Sequence, residues 1–484
     1  MHKTLVANII LRILMIVCLS MLVPLGWALY DNYHSHEVIA FIVTILLGIF
    51  VSVFFRWIFR IEKNDLKRLN AKDGLAIVGL SWVFLSIFGA LPLYFSGVVP
   101  SYTDAFFEIT SGFTTTGATI FADIESLPRG ILFWRSLTHW LGGMGIIVLY
   151  LALLPALGHN AFQLYKAEAP GLDVERVEPR IKETAKMLWS VYFLLSIAEV
   201  GLLILAGMPV FDSLCHTFGT MATGGFSTKN ASIAAYGAPV QWIITVFMFL
   251  SGINFMLHYQ FLRGHFKIYL KREESRYYFL LIFISIAVFA AILAKTGLSL
   301  SPLRDAAFQT ISILTTTGYT TADFDLWPHM VRLALLMLMF IGACGGSTGG
   351  GMKVIRFFLT IKVSILSIVQ TVFPNAILPV KFDGKPLPSR TVSSIMAYFA
   401  IFILLFFAGS ILLSITEGCD LVTAFSASIA SLSNIGPGLG KVGPANNYGW
   451  LSIPGKWILA FLMLAGRLEL YSILILCLPS TWRK

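Results

Sequence analysis

"SILTTTGYTTADF" at 312–324 repeats the core of "SGFTTTGATIF" at 111–121, with the shared Thr-Thr-Thr-Gly 201 residues apart. The upstream contexts match as well. Asp104-Ala105 stands thirteen residues before Gly117, and Asp305-Ala306 stands thirteen before Gly318. Two looser copies follow the same design, "MATGGFS" at 221–227 and "LSNIGPGLG" at 432–440. Aligned on Gly117, Gly224, Gly318 and Gly436, the four are spaced by 107, 94 and 118 residues. Each copy follows a short, mildly apolar segment opening near Asp104, Asp212, Asp305 or Asp420. Residues 103–113 would make about 16 Å of helix, roughly half a bilayer. Such a half-helix can dip into a membrane and return only where its non-helical exit faces protein or water.

The surrounding composition makes the membrane reading firm. Of 484 residues, 57% are hydrophobic and 12% charged, where a soluble domain carries about 25% charged residues. Stretches near 20 apolar residues predict about ten spans: 6–29, 38–59, 74–97, 131–155, 184–206, 239–262, 277–296, 329–371, 392–416 and 455–478. The first is long and closely followed by the second, so it reads as a retained helix rather than a leader. The expected fold class is an all-α polytopic membrane protein with four pseudo-symmetric span–half-helix–filter–span repeats around one pore. The boundaries fall at 1–70 for two extra N-terminal spans, then 71–165, 166–272, 273–388 and 389–484 for the four repeats.

Net charge is +10, and the basic residues gather at Arg56–Lys72, Lys166–Lys186, Arg263–Arg276 and Lys353–Arg390. Alternation with connectors poorer in Lys and Arg places both termini in the cytoplasm by the positive-inside rule. Basic residues confined to short connectors argue against a nucleic-acid surface. The five cysteines show no CxxC spacing, hence neither a disulfide framework nor a zinc site. No Ser-His-Asp or paired-carboxylate constellation is visible, so catalysis has no support.

Four such loops on one axis suit a dehydrating cation. Backbone carbonyls replace its water shell, and threonine adds hydroxyls on a stiff β-branched backbone. Glycine permits the φ > 0 geometry that turns carbonyls inward. The candidate filter is Thr115-Thr116-Gly117, Ala222-Thr223-Gly224, Thr316-Thr317-Gly318 and Asn434-Ile435-Gly436.

At these residues the chain resembles the Trk/Ktr/HKT superfamily of potassium transporters, in particular the membrane subunit of bacterial Trk systems. "WLGGMGIIVLYLALLPALG" (140–158), "GACGGSTGGGMKVIR" (342–356), "NIGPGLG" (434–440) and "AGRLELYSILIL" (465–476) carry the resemblance. It implies a gated K⁺ pathway in a bacterial inner membrane, a homodimer with one pore per protomer, and a cytosolic ring binding NAD(H), ATP or ADP. K⁺ would be the transported ion, with no organic cofactor on this chain. No GxGxxG follows a predicted strand, which leaves nucleotide sites to the partner.

The eighth span is too long and carries five glycines within 345–351, each costing about 1 kcal/mol in a helix relative to alanine. Gly345, Gly346, Ser347, Thr348, Gly349, Gly350 and Gly351 therefore read as a break, either a packing hinge or, as the resemblance implies, a gate. Arg467 in "MLAGRLELYS" falls mid-span, where a functional role is the default for a charge. It is expected to oppose cations at the break, with Glu469 on another face of the same helix. Glu199 in "SIAEVGLL" is either a proton site, the one support for H⁺- or Na⁺-coupled symport, or an interhelical hydrogen-bonding group. Asp123 and Asp323, shortly after the first and third copies, read as solvated loop acids or, alternatively, as acids that concentrate cations at the mouth, and His139 and His216 as packing or interfacial histidines.

Overall fold

The computed structural model describes residues 2–31, 35–59, 71–153, 181–376 and 378–479. Most of the basic segment 56–72, residues 166–180 of the connector 166–186, and the end of the 140–158 motif lie outside them. The described chain is helical, apart from one short hairpin pairing Lys381–Phe382 with Lys385–Pro386. Seven described helices are long and apolar enough to cross a membrane. The chain is an all-α polytopic membrane protein.

Four short helices interrupt the spans where the sequence places them: Tyr102–Phe113, Val210–Met221, Pro302–Leu314 and Leu421–Leu432. Their starts are locally encoded. Ser101 accepts the Thr103 N–H, Asp420 accepts the Thr423 N–H, and Pro302 sits in the first turn of the third. Every residue from Ala105 to Phe113, and from Ala306 to Leu314, is buried. These half-helices are therefore wrapped by the longer spans. Lys456 Nζ donates to Asp104 Oδ1 at 2.6 Å, joining the last repeat to the first.

Three expected spans are broken, and the breaks meet. The 329–371 stretch divides, as expected, into His329–Ile341 and Val354–Val372 around a non-helical loop. The 239–262 stretch is not one straight helix. Ala238–Ser251 and Phe255–Leu262 turn by 101°, with Asn254 accepting the Met256 N–H as a new cap. The cause lies in the facing loop. Gly252 O accepts Cys344 N–H at 3.0 Å, and Phe255 N–H donates to Gly346 O at 3.1 Å. Each break thus supplies backbone partners that the other lacks.

The final span also departs from expectation. Its helix ends at Arg467, Glu469 and Leu470 take φ of 53° and 60°, and a new helix runs Tyr471–Cys477. Arg467 is therefore a helix terminus, not a mid-helix charge. Glu469 lies in the break rather than on another helical face, drawn to Arg356 at 2.5 Å.

Candidate functional site

All four half-helices end by one rule. The residue after each C-cap has positive φ: Thr115 at 52°, Thr223 at 54°, Thr316 at 61° and Asn434 at 56°. The next residue bonds back five positions, Thr116 to Ser111, Gly224 to Gly219, Thr317 to Ser312 and Ile435 to Ala430, at 2.7–2.9 Å. A second positive φ follows at Gly117 (80°), Gly225 (79°), Gly318 (80°) and Gly436 (94°). The sequence alignment was therefore one residue out in the second copy. Gly225, not Gly224, corresponds to Gly117, while Gly224 takes the place of Thr116. Two adjacent glycines leave that choice open to composition, and the hydrogen-bond pattern decides it.

The loops close into a ring. A Cβ added to Gly117 would collide with Gly224 O, one on Gly225 with Thr317 O, one on Gly318 with Ile435 O, and one on Gly436 with Thr116 O. Each loop thus presses its glycine against a backbone carbonyl of the next, in the cyclic order one, two, three, four, one. Side chains reinforce the closure, since Asn434 Nδ2 donates to Thr116 Oγ1 at 3.0 Å. Outside the ring opens a cavity of about 110 Å³ whose lining includes Gly117, Gly225, Gly318, Gly436 and Tyr448. Outer loops are clipped together around it. Asn230 donates to Asp123 and accepts the Ile124 N–H, Thr320 O accepts the Ile233 N–H, Asp325 accepts the Gly440 N–H, and Thr119 O accepts the Tyr448 N–H. The Asn230 amide holds the exposed Asp123 carboxyl below its ordinary range.

Beneath the ring, loop 342–353 reaches the inner ends of the half-helices. Thr348 Oγ1 donates to Met221 O at 2.9 Å, and Gly350 N–H donates to Thr316 Oγ1 at 2.6 Å. A Cβ on Gly349 or Gly350 would strike Thr315 O or Ser433 O. Arg467, 3% exposed, donates through Nη1 to Thr348 O at 2.6 Å and through Nη2 to Gly142 O at 3.0 Å. Gly142 itself lies against Phe113 O, so the loop meets three half-helix ends directly and the first only by way of Arg467 and Gly142. At the other end of the loop, Glu274 Oε1 accepts the Gly345 N–H at 2.7 Å, and Lys353 Nζ donates to Gly349 O.

The cation transport protein model named TrkH matches residues 41–483. The chain belongs to the TrkH family of cation transport proteins. It is 41% identical over 457 residues to the Trk system potassium uptake protein TrkH of Salmonella typhimurium, covering 92% of each chain. Identity to the protein of the same name in Escherichia coli is 40%, over all of both chains. The crystal structure of the potassium transporter TrkH from Vibrio parahaemolyticus superposes with a TM-score of 0.89 at 37% identity, covering 100% of both chains.

In this TrkH-family chain the four candidate filter segments come together, and the 345–351 stretch meets Arg467. Behind them lie Glu108, Arg135, Glu274 and Lys353, which sequence reasoning passes over as site residues, and Glu469 and His139, which it names. Glu108 and Arg135 form a fully buried ion pair at 2.7 Å. Glu274, Lys353 and Glu469 hold or flank the loop. His139 packs behind the second loop, its Nδ1–H donating to Gly112 O at 2.7 Å and its Nε2 accepting the Phe226 N–H at 3.2 Å. The available signals were Glu108, an acid within a half-helix, and Arg135, a charge inside an apolar span. Glu199 is fully buried, with neither carboxylate oxygen hydrogen-bonded among the described residues.

Proposed function

We propose that this chain takes up K⁺ along the axis of the four loops. The observation that carries the reading is the cyclic closure of the loops, which sets the carbonyls of Thr116, Gly224, Thr317 and Ile435 into one ring on the route from the outer cavity. Backbone oxygens in such a ring replace a cation's hydration shell without adding a fixed charge. The half-helices direct their carbonyl ends toward the path beneath. The relatives supply the ion, since they are potassium uptake proteins.

Loop 342–353 is then the closed gate. It lies across the inner ends of the half-helices, and Arg467 places a positive charge where a cation would leave the filter. Opening moves the loop away and exchanges its bonds for water. The partners implied by the family resemblance belong to the same proposal. They are a second copy of the chain and a cytosolic ring that senses NAD(H) or ATP/ADP, acting on a multi-pass protein of a bacterial inner membrane with both termini cytoplasmic.

The test is rubidium flux into proteoliposomes of the purified chain under a K⁺ gradient, with Na⁺ as competitor. Saturable, K⁺-preferring flux is expected, and equal competition by Na⁺ would overturn the filter reading. Native mass spectrometry with cytosolic extract tests the ring, and failure to retain any such assembly would remove it. The coupled reading rests on Glu199, a fully buried carboxyl. It replaces the passive one if flux requires a proton or sodium gradient and Glu199→Gln abolishes that requirement.

A further inference from the structure

We propose that Arg135 and Glu108 form a brace that clamps the first filter loop to the second from behind, and that discrimination between K⁺ and Na⁺ depends on it. This rests on the filter reading above and names the residues that hold the filter's dimensions.

Glu108 stands nine residues before Gly117 on the first half-helix and is fully buried. Both of its oxygens grip the segment just past that glycine. Oε1 accepts the Thr119 hydroxyl at 2.9 Å, and Oε2 accepts the Ile120 N–H at 2.9 Å. Arg135, from the following span, donates through Nε to Oε1 at 2.8 Å and through Nη2 to Thr119 Oγ1 at 3.2 Å. Its guanidinium lies over the ring of Phe226 at 4.2 Å. Phe226 immediately follows Gly225 in the second loop. The same residue stacks on His139 at 4.2 Å, and its carbonyl accepts the hydroxyl of Tyr319, which immediately follows Gly318. One chain of contacts therefore joins the outer edges of loops one, two and three.

The other half-helices show what a simpler brace looks like. Nine residues before their positive-φ glycines stand His216, Gln309 and Ala427. His216 Nε2 meets Ser227 Oγ at 3.1 Å, and Gln309 Nε2 donates to Ala322 O at 3.5 Å. Neutral groups thus make the local tie in the second and third loops, and the Ala427 side chain makes none. Burying an ion pair is costly when a neutral hydrogen bond would do. The charged version adds shorter bonds and a planar cation that stacks on an aromatic face, which a lysine cannot reproduce. That plane is what reaches the second loop.

The experiment measures rubidium uptake by the full-length chain in proteoliposomes, separating maximal flux from inhibition by Na⁺, with melting temperature as a folding control. The variants are Arg135→Lys, Phe226→Leu, their double, and Gly318→Ser as a probe of the filter itself. Arg135→Lys keeps the charge and removes the fork and the plane. It should reduce K⁺/Na⁺ discrimination about fivefold, equivalent to ~1 kcal/mol, with maximal flux and melting temperature near the parent's. Phe226→Leu should do the same, and the double should add little, because both act through one contact. Additive losses would overturn the clamp. Unchanged discrimination in the folded singles, with Gly318→Ser altered, would overturn the brace and leave the filter standing. No change in any of the three would remove the filter reading. Should Arg135→Lys not fold, Phe226→Leu decides the outcome alone.

Discussion

The four loops of the ring and loop 342–353 are both non-helical and buried, yet they differ in how much of their holding comes from side chains of other elements. The filter loops are held by backbone against backbone, each glycine fitted under a carbonyl of its neighbour with no room for a Cβ. Loop 342–353 is tied partly by backbone, through the Cys344–Gly252 and Gly346–Phe255 bonds and the close approach of Gly349 and Gly350 to Thr315 O and Ser433 O, and partly by side chains from Arg467, Glu274 and Thr316. A ring closed through main-chain contacts cannot shift one member without shifting the rest. The side-chain ties of the lower loop, by contrast, can be released one at a time. On the proposed reading, the difference separates the part that selects ions from the part that moves.

The largest expected effect comes from breaking the ring. Gly225→Ala places a side chain at positive φ and directly against Thr317 O. Discrimination between K⁺ and Na⁺ should fall tenfold or more, about 1.4 kcal/mol at least. Gly224→Ala, at an ordinary φ, collides first with the His139 ring, so adding His139→Ala should recover much of its loss. Rescue of Gly225→Ala by His139→Ala, read in the same Na⁺ competition, would reverse the assignment of the second filter.

Next in size is release of the lower loop. Arg467→Ala removes the donors to Thr348 O and Gly142 O, and hydrogen bonds from charged groups contribute about 1.5–3 kcal/mol each. Basal rubidium flux should rise by an order of magnitude or more while Na⁺ competition stays near the parent's. A folded variant that conducts no faster would show that loop 342–353 is a hinge.

How much of this was legible in the sequence follows from the range of the interactions. The half-helices were legible because their signals are local: an acid near the start, a mildly apolar turn or two, and a glycine-ended exit. The break at 345–351 was legible because glycines so dense cannot hold a helix. The bend at 252–254 and the stop at Arg467 were not, because their causes lie across the fold in the Gly252–Cys344, Phe255–Gly346 and Arg356–Glu469 contacts. The second filter's register was hidden by Gly224-Gly225, where composition offers two equal choices. Glu108 and Arg135 are 27 residues apart, on different elements, and only the fold makes them partners.

A smaller effect is expected at the far end of the loop. Glu274→Ala leaves the Gly345 N–H without its carboxylate, whereas Glu274→Gln keeps an acceptor there. Basal flux should rise severalfold for alanine, less than for Arg467→Ala, and return close to the parent's for glutamine. Equal flux in the two variants would mean that the negative charge, not the hydrogen bond, fastens the loop.

The smallest effect is also the one that tests the boundary between the two regions. Thr316 belongs to the third filter loop by its backbone, with φ of 61° and its N–H bonded to Ile313 O. By its side chain it belongs to the lower loop, because Oγ1 accepts the Gly350 N–H at 2.6 Å. Thr316→Val preserves the β-branched shape and removes that acceptor, leaving one buried N–H unpaired at about 1–3 kcal/mol. Because the backbone ring stays intact, Na⁺ competition should hardly change. Because the lower loop loses a tether in its closed position, basal flux should rise a few-fold. A variant with unchanged flux but poorer discrimination would mean that the hydroxyl serves the ion path rather than the gate. The line between rigid filter and movable loop would then run below Gly350 instead of through Thr316.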